Sequence, residues 1–324
     1  MPDFFDRYEN RPVKSRELSL FKELKGIVSV ARSRAPSLRR QLAGIDIREI
    51  KKRSDLARIP VLRRHELRDL QLEQPPFGGL SGSRLSALKR MHISPGPWFQ
   101  PEGQARDYWG AARALFAAGA RKGDIILNCL SYHLCPEGHM MDSGGQALGC
   151  AIVPAGDKMI VETLEAIQQL QPSVICAHAD YVDQLFTAAL NRSQDLSCLR
   201  RALIVGALME ANQRRAYEQQ GLSIRHVYSI PEIGVIAYET QADEGELVEG
   251  FVLNEGIILE IVRPGGQEPL AVGEIGEMVV TRLNVDYPLL RFGTGDLSRI
   301  LSGASACGRT NMRIAGILGK TPTI

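Results

Sequence analysis

The chain has 324 residues, 44% hydrophobic and 23% charged, a balance that suits two average domains or one large α/β unit and excludes extended disorder. Lys and Arg total 39 against 37 acidic residues, a net charge of +2, so no broad electrostatic field recommends a nucleic-acid partner. No apolar run reaches the roughly 18–20 residues of a membrane span, the charged start MPDFFDRYENRPVKSREL offers no secretory stretch, and the six cysteines form no CxxC; a soluble, reduced, cytoplasmic protein is expected.

Up to about Leu72 the pattern is helical. Leu20, Leu24, Ile27, Val28 and Ala31 recur at helix spacing, with breaks at Ala35-Pro36 and Gly44-Ile45-Asp46. Ser54-Asp55 predicts the cap of a short turn ending at Pro60. The basic residues Arg39, Arg40, Lys51, Lys52 and Arg53 read as a solvated face in preference to an anion patch. Residues 75–105 are rich in Gly, Pro and Ser, which predicts loops. An Ala-rich helix follows from Asp107, stopped at Gly119 or Gly123. Strands are then expected at 124–130, 150–154, 174–177, 202–205 and 224–227. Helices fill the gaps, at 140–148, 161–170, 181–190 and 209–219.

Strand and helix alternating in this way imply right-handed crossovers and a mostly parallel sheet covered on both faces. Ligands bind such sheets beyond the carboxyl ends of the strands. That rule gathers Tyr132–Glu137, Ala177–Tyr181, Gly206–Leu208 and Tyr228–Glu232 around one crevice. After Thr240 strand-like runs at 256–262, 276–281 and 297–301 alternate with Gly, Pro and Asp turns, predicting a small antiparallel subdomain.

Four segments carry candidate chemistry. In Phe292-Gly293-Thr294-Gly295-Asp296 an Asp on a Gly-flanked turn can accept two hydrogen bonds from a sugar diol, or simply close a β-turn. In Tyr228-Ser229-Ile230-Pro231-Glu232 the ring can stack on a base and the carboxylate can hold Mg²⁺ near phosphates. The plainer alternative is a strand-to-loop transition with a capping Ser and a solvated Glu. Tyr132 and His133 can wall a substrate pocket or pack in a core. Arg309, in Cys307-Gly308-Arg309-Thr310-Asn311, can reach a phosphate or pair with a surface carboxylate. Cys129, Cys135, Cys150, His133 and His139 lack metal-ligand spacing, so zinc is not expected. Walker, GxSxG, HExxH and GxGxxG signatures are all absent.

These segments, in this order, resemble the phenylacetate-CoA ligase branch of the adenylate-forming ligases. DIILNCLSYHLCPEGHMMDSGGQALGCAIVPAG resembles the acyl-pocket helix and following strand, and IPVLRRHELRDLQ the N-terminal region. GEIGEMVVTRLNVDYPLLRFGTGDLSRI resembles the ribose-binding stretch, and CGRTNMRIAGILGK the approach to the interdomain hinge. The resemblance implies ATP-dependent activation of an aromatic or related carboxylic acid to an acyl-adenylate, then transfer to CoA. It implies that Asp296 binds the ribose hydroxyls, that Tyr228 lies by the adenine, and that Ser229, Thr294 and Arg309 also bind the nucleotide. Glu232 would be the catalytic carboxylate carrying Mg²⁺. Tyr132, His133, Gly206 and Ala207 would line the acyl pocket.

The implied fold is α/β, a mostly parallel sheet with flanking helices. The expected division is an N-terminal helical segment (1–75), an acyl- and nucleotide-binding core (76–240) and a β-rich subdomain ending at the hinge (241–324). Three departures from the family accompany it. MHISPGP replaces a Ser/Thr/Gly-rich phosphate loop, offering fewer hydroxyls and N–H groups. Gly206-Ala207-Leu208 lacks the family's acidic third residue, and Gly319-Lys320-Thr321-Pro322 ends where the hinge would open. Beyond it the family's small C-terminal domain supplies a lysine and builds the CoA tunnel. A catalytically impaired homologue that binds AMP or acyl-adenylate, or a core served by a lid domain in trans, is therefore the alternative expectation, with CoA use the step most affected. The partners expected are a small carboxylic acid and a nucleotide, with no nucleic acid and no membrane.

Overall fold

The structure is a computed structural model that describes residues 3–242 and 245–321. Its first stretch holds helices α1 (Val13–Ala31), α2 (Pro36–Gln41) and α3 (Arg64–Glu73), and strands β1 (Leu62–Arg63), β2 (Arg90–Ser94) and β3 (Trp98–Glu102). The middle stretch alternates α4 (Ala111–Ala117), β4 (Ile125–Asn128), α5 (Glu137–Leu148), β5 (Ala151–Pro154), α6 (Ile160–Leu170), β6 (Val174–Ala177), α7 (Ala179–Asn191), β7 (Arg201–Val205) and α8 (Ala211–Gln219). It closes with β8 (Ser223–Ile230) and β9 (Gly234–Tyr238). The last stretch is β10 (Phe251–Leu253), β11 (Ile257–Val262), β12 (Gly276–Arg282), β13 (Phe292–Ser298), β14 (Ile300–Leu301), β15 (Arg313–Ile314) and β16 (Gly319–Lys320).

Two compact units result, and they do not follow the linear division at 75 and 240. One is the inserted unit, described residues 3–5, 105–242 and 245–248; the other is the framing unit, residues 6–104 with 249–321. The N-terminal helices belong to the framing unit because β1 pairs in parallel with β13, Leu62 opposite Phe292. Gln41 Nε2 also donates to the carbonyls of Pro60 and Leu290, both at 2.9 Å.

In the inserted unit the strand order is β5-β4-β6-β7-β8-β9, parallel except for the β8–β9 hairpin. Buried strands covered on both faces need continuous apolar runs. Val174–Ala177 and Ala202–Val205 supply them, packed with Leu164, Ile167, Val182 and Leu185 of the flanking helices. The Ala-rich helix starts at Ala111 rather than at Asp107. The Asp107 carboxylate instead accepts the N–H groups of Ala111 and Ala112 at 2.9 and 3.0 Å, satisfying donors that the first turn leaves open.

In the framing unit the order β1-β13-β12-β11 has β16 on the far side of β13. Strands β14, β15 and β10 pair antiparallel in that order. Three expectations are corrected here. Residues 90–102 form a two-stranded hairpin, Arg90 opposite Glu102 and Ser94 opposite Trp98; its prolines sit at the tip and near one strand end, where no ladder N–H is needed. Met91–Ser94 is thus strand, and only Pro95-Gly96-Pro97 is turn. Likewise Phe292–Ser298 is a strand rather than a turn, and the strand expected at 297–301 is split between β13 and β14. Of the expected hinge, Gly319–Lys320 pairs with β13, while Pro322 lies outside the described residues.

Candidate functional site

In the inserted unit the carboxyl ends of β4, β6, β7 and β8 carry the candidate residues, as parallel-sheet topology requires. Asn128 ends β4 and is fully buried. Its amide donates to Tyr132 Oη and the Gly138 carbonyl at 2.8 Å and lies 2.9 Å from Asp142 Oδ1. The Tyr132 hydroxyl donates to the same Asp142 oxygen at 2.6 Å. Burial first, and Asp142 second, push that hydroxyl's pKa far up, so it stays protonated. Its ring meets His139 edge-on at 5.2 Å. A Cβ on Gly138 would fall 2.9 Å from that ring, which is why the second residue of α5 is glycine. His133, two residues into the same loop, is exposed.

His178, at the start of α7, reaches across to two neighbours. Nδ1 donates to the Val205 carbonyl at 2.9 Å and Nε2 lies 3.4 Å from Glu137 Oε2 in the first turn of α5. The Glu137 hydrogen bond outweighs burial and raises the imidazole's pKa from the ordinary 6.5. Gly206 follows with φ at +83°, and a Cβ there would lie 2.9 Å from His178 Nδ1. Gly206, Ala207 and Leu208 are exposed. The segment is anchored again at Met209, whose N–H donates to His226 Nε2 at 3.0 Å. Accepting that bond requires a bare Nε2, so the His226 proton sits on Nδ1, 3.1 Å from Glu239 Oε2. Arg214 completes the cluster with two 3.0 Å bonds to Glu239.

Tyr228 and Ser229 are not in a loop after a strand. β8 continues to Ile230, and Tyr228 pairs with Ala237 of β9. Tyr228 is buried, Ser229 half-buried, and Glu232 sits in the hairpin turn at 1% exposure rather than solvated. Gly234 holds φ at +90°, where a Cβ would come within 2.6 Å of the Trp109 carbonyl.

In the framing unit Asp296 lies on β13 at 6% exposure, with Oδ1 accepting from Lys320 Nζ at 3.1 Å. Thr294 Oγ1 donates to the Met278 carbonyl and accepts the Asp296 N–H, both at 3.1 Å, so it shapes the strand around the carboxylate. Arg309 pairs at 3.1 Å with Glu9, and both side chains are buried, so its partner is not at the surface. At the β2–β3 tip a Cβ on Gly96 would run into the Trp98 indole, which folds back over the turn.

Sequence reading missed Asn128, Asp142, His178, His226 and Lys320. Their partners lie 10 to 41 residues away in most of these contacts, and no local motif marks them. The six cysteines are free thiols; burial pushes the Cys129 thiol up to about 12. Among the described residues no group of three or more His, Cys, Asp or Glu is placed to hold a metal, and no helix is long and apolar enough to cross a membrane.

The pattern of the AMP-binding enzyme family matches residues 104–285. A phenylacetate-coenzyme A ligase of Thermus thermophilus is 32% identical over 311 residues, covering 92% of this chain and 68% of that protein. Its counterpart from Escherichia coli K12 is 26% identical, covering 96% and 73%, and that of Pseudomonas putida is 28% identical, covering 82% and 61%. The chain thus spans roughly two thirds of the length of these relatives. Among solved structures, an open 2-hydroxyisobutyryl-CoA ligase in complex with 2-HIB-AMP and CoA superposes with a TM-score of 0.88 at 23% identity, over 99% of this chain and 79% of that one. At that identity the likeness speaks for the fold. Family pattern, relatives and fold agree: the chain belongs to the phenylacetate-CoA ligase family of AMP-binding, adenylate-forming enzymes.

Proposed function

We propose that the chain is an AMP-forming acid-CoA ligase. The oxygen of a carboxylate attacks the α-phosphate of ATP, pyrophosphate leaves, and the CoA sulfur then displaces AMP from the acyl carbonyl. The observation that carries this reading lies in the inserted unit. Tyr132 and the Gly206–Ala207 turn follow the carboxyl ends of β4 and β7, and Tyr228 lies near the carboxyl end of β8; the three strands share one parallel sheet. Tyr132, His133, Gly206 and Ala207 are the proposed acyl-pocket residues, and an aromatic or related acid the proposed substrate. A hydroxyl held by Asp142 and a turn of Gly and Ala, which bears no reactive group, suit a wall that positions a ligand rather than reacting with it.

Tyr228, Ser229 and Glu232 are the proposed nucleotide residues of this unit, and Thr294, Asp296 and Arg309 those of the framing unit. Asp296 offers the carboxylate for a ribose diol. Arg309 would exchange Glu9 for a phosphate. Mg²⁺ commonly keeps waters and substrate phosphates and takes only one or two carboxylates from the protein. Glu232, a carboxylate at the hairpin turn, fits that demand. Bound there, the ion would offset charge on the phosphates. The six free thiols support a reducing, cytoplasmic setting.

The test is pyrophosphate release by the purified chain with ATP and a panel of acids headed by phenylacetate, followed by mass detection of the thioester after CoA is added. Acid-dependent release is expected. No acid-dependent release across the panel would overturn the ligase reading.

A further inference from the structure

His178 belongs to none of the residue sets assigned above, yet it touches three elements at the carboxyl edge of the parallel sheet. It starts α7, bonds to the carbonyl that ends β7, and faces the first turn of α5. Glu137 is the hinge post of the 131–136 loop that carries Tyr132, for the Gly138 N–H next to it returns to the Ser131 carbonyl at 2.9 Å. On its other side the imidazole fills the space that the absent side chain of Gly206 leaves. Bonding Val205 and Glu137 together takes a proton on each ring nitrogen.

We propose that doubly protonated His178 is a positioning residue for the acid substrate: by bridging Glu137 to Val205 it sets the spacing between the Tyr132 loop and the Gly206–Ala207 turn. The proposal rests on the ligase reading and adds a residue and a pH dependence to it. The charged groups facing the ring are Glu137 from α5 and Asp180 from α7, while β7 presents only the Val205 carbonyl. Both carboxylates favour the imidazolium. His178 and Glu137 side chains are 34% and 32% exposed, so the ring exchanges protons with solvent. The bridge is therefore present at lower pH and lost as pH rises through a value above the ordinary 6.5. An acid substrate with a pKa near that of Glu stays ionised throughout this window, so it adds no titration of its own.

The experiment measures kcat and the KM for phenylacetate, or the best acid of the panel, between about pH 6 and 9, with the KM for ATP in parallel. In the wild type the acid KM should rise about 5- to 10-fold on the alkaline side, the equivalent of one net hydrogen bond, with little change in kcat. Glu137→Gln keeps a hydrogen-bond acceptor but removes the charge, and should move that inflection to lower pH. His178→Gln cannot titrate, and its acid KM should be flat with pH. The NMR titration of the His178 ring follows the same inflection in folded protein. Turnover with an acid KM that ignores both substitutions would overturn the proposal and leave the ligase reading standing. An inflection unmoved by Glu137→Gln would overturn it as well. Absence of turnover with every acid would overturn the ligase reading and this inference with it.

Discussion

The two units place charge differently. The inserted unit packs its central strands in apolar side chains and sends polar groups to the strand ends, where Tyr132, His178 and the Gly206 turn are partly open. The framing unit joins segments far apart in sequence through buried charges. Arg291 meets Glu260 at 2.9 Å, Arg309 meets Glu9 at 3.1 Å, and Arg16 meets Glu255 at 3.2 Å. A parallel sheet fed by short crossovers needs no such stitching, whereas strands drawn from both ends of a chain do. The first arrangement leaves polar atoms available to a ligand. The second consumes many of them, while buried Asp296 keeps an exposed partner, Lys320.

The largest expected effect tests the stitching. Arg291 is fully buried with φ at +45°, and its guanidinium donates to both Glu260 oxygens and to the carbonyls of Ile59 and Gln267. Burial raises the Glu260 pKa against the pull of Arg291, so losing the partner strands a costly charge. Arg291→Met should cost about 3–5 kcal/mol in urea unfolding. The double variant with Glu260→Met should recover much of that loss. If the single variant is near neutral, buried charge does not hold this unit together.

The inserted unit has one comparable cluster, which gives the next effect. Burial pushes the Glu239 carboxyl up, but His226 and Arg214 outweigh it and hold it near 2, below the ordinary 4.5. Its contribution is fully present above about pH 4.5 and fades as pH falls toward 2, worth about 3 kcal/mol by linkage. Thermal melts of Glu239→Gln should lose stability at neutral pH and show a shallower decline in acid than the wild type. Parallel declines would remove Glu239 from the account.

Next comes Asp296→Ala, expected to weaken AMP binding by about 1.5–3 kcal/mol, the range for charge-assisted hydrogen bonds. Unchanged calorimetric affinity in a folded variant would withdraw the ribose role. The smallest effect is at Glu232. Glu232→Gln should lower ATP affinity in the presence of Mg²⁺ by about 0.5–1.5 kcal/mol and leave AMP affinity unchanged; equal losses for both nucleotides would mark Glu232 as structural.

The alternating core was legible because apolar runs and Gly stops recur locally. Residues 174–177 match the expectation in full, and 160–170 differs by one residue at its start. The β2–β3 hairpin was hidden by Pro and Gly, which mark its tip but also suggest open loop. The continuation of β8 through Tyr228 and Ser229 was missed because pairing with β9, rather than composition, extends it. Asp296 looked like a turn residue between glycines; the strand does bulge there, with Gly295 at φ +76° and the register against β12 shifted, while pairing with Lys320 of β16 keeps Asp296 in β13. The strand-end rule brought the segments of His178 and Glu137 to one crevice, but no local motif pairs the two, since 41 residues separate them.

The chain contains two tryptophans, and they fall one in each unit. Trp109 is 1% exposed beside Tyr108, with ring centroids 4.8 Å apart. Trp98 sits half-buried at the hairpin tip with the Arg64 guanidinium 5.8 Å over its ring. Intrinsic fluorescence is thereby a two-channel reporter: a blue-shifted emission from buried Trp109 follows the inserted unit, and a redder emission from half-buried Trp98 follows the framing unit. Trp98→Phe and Trp109→Phe separate the channels, so the melting of each unit can be read in the intact chain without any added label.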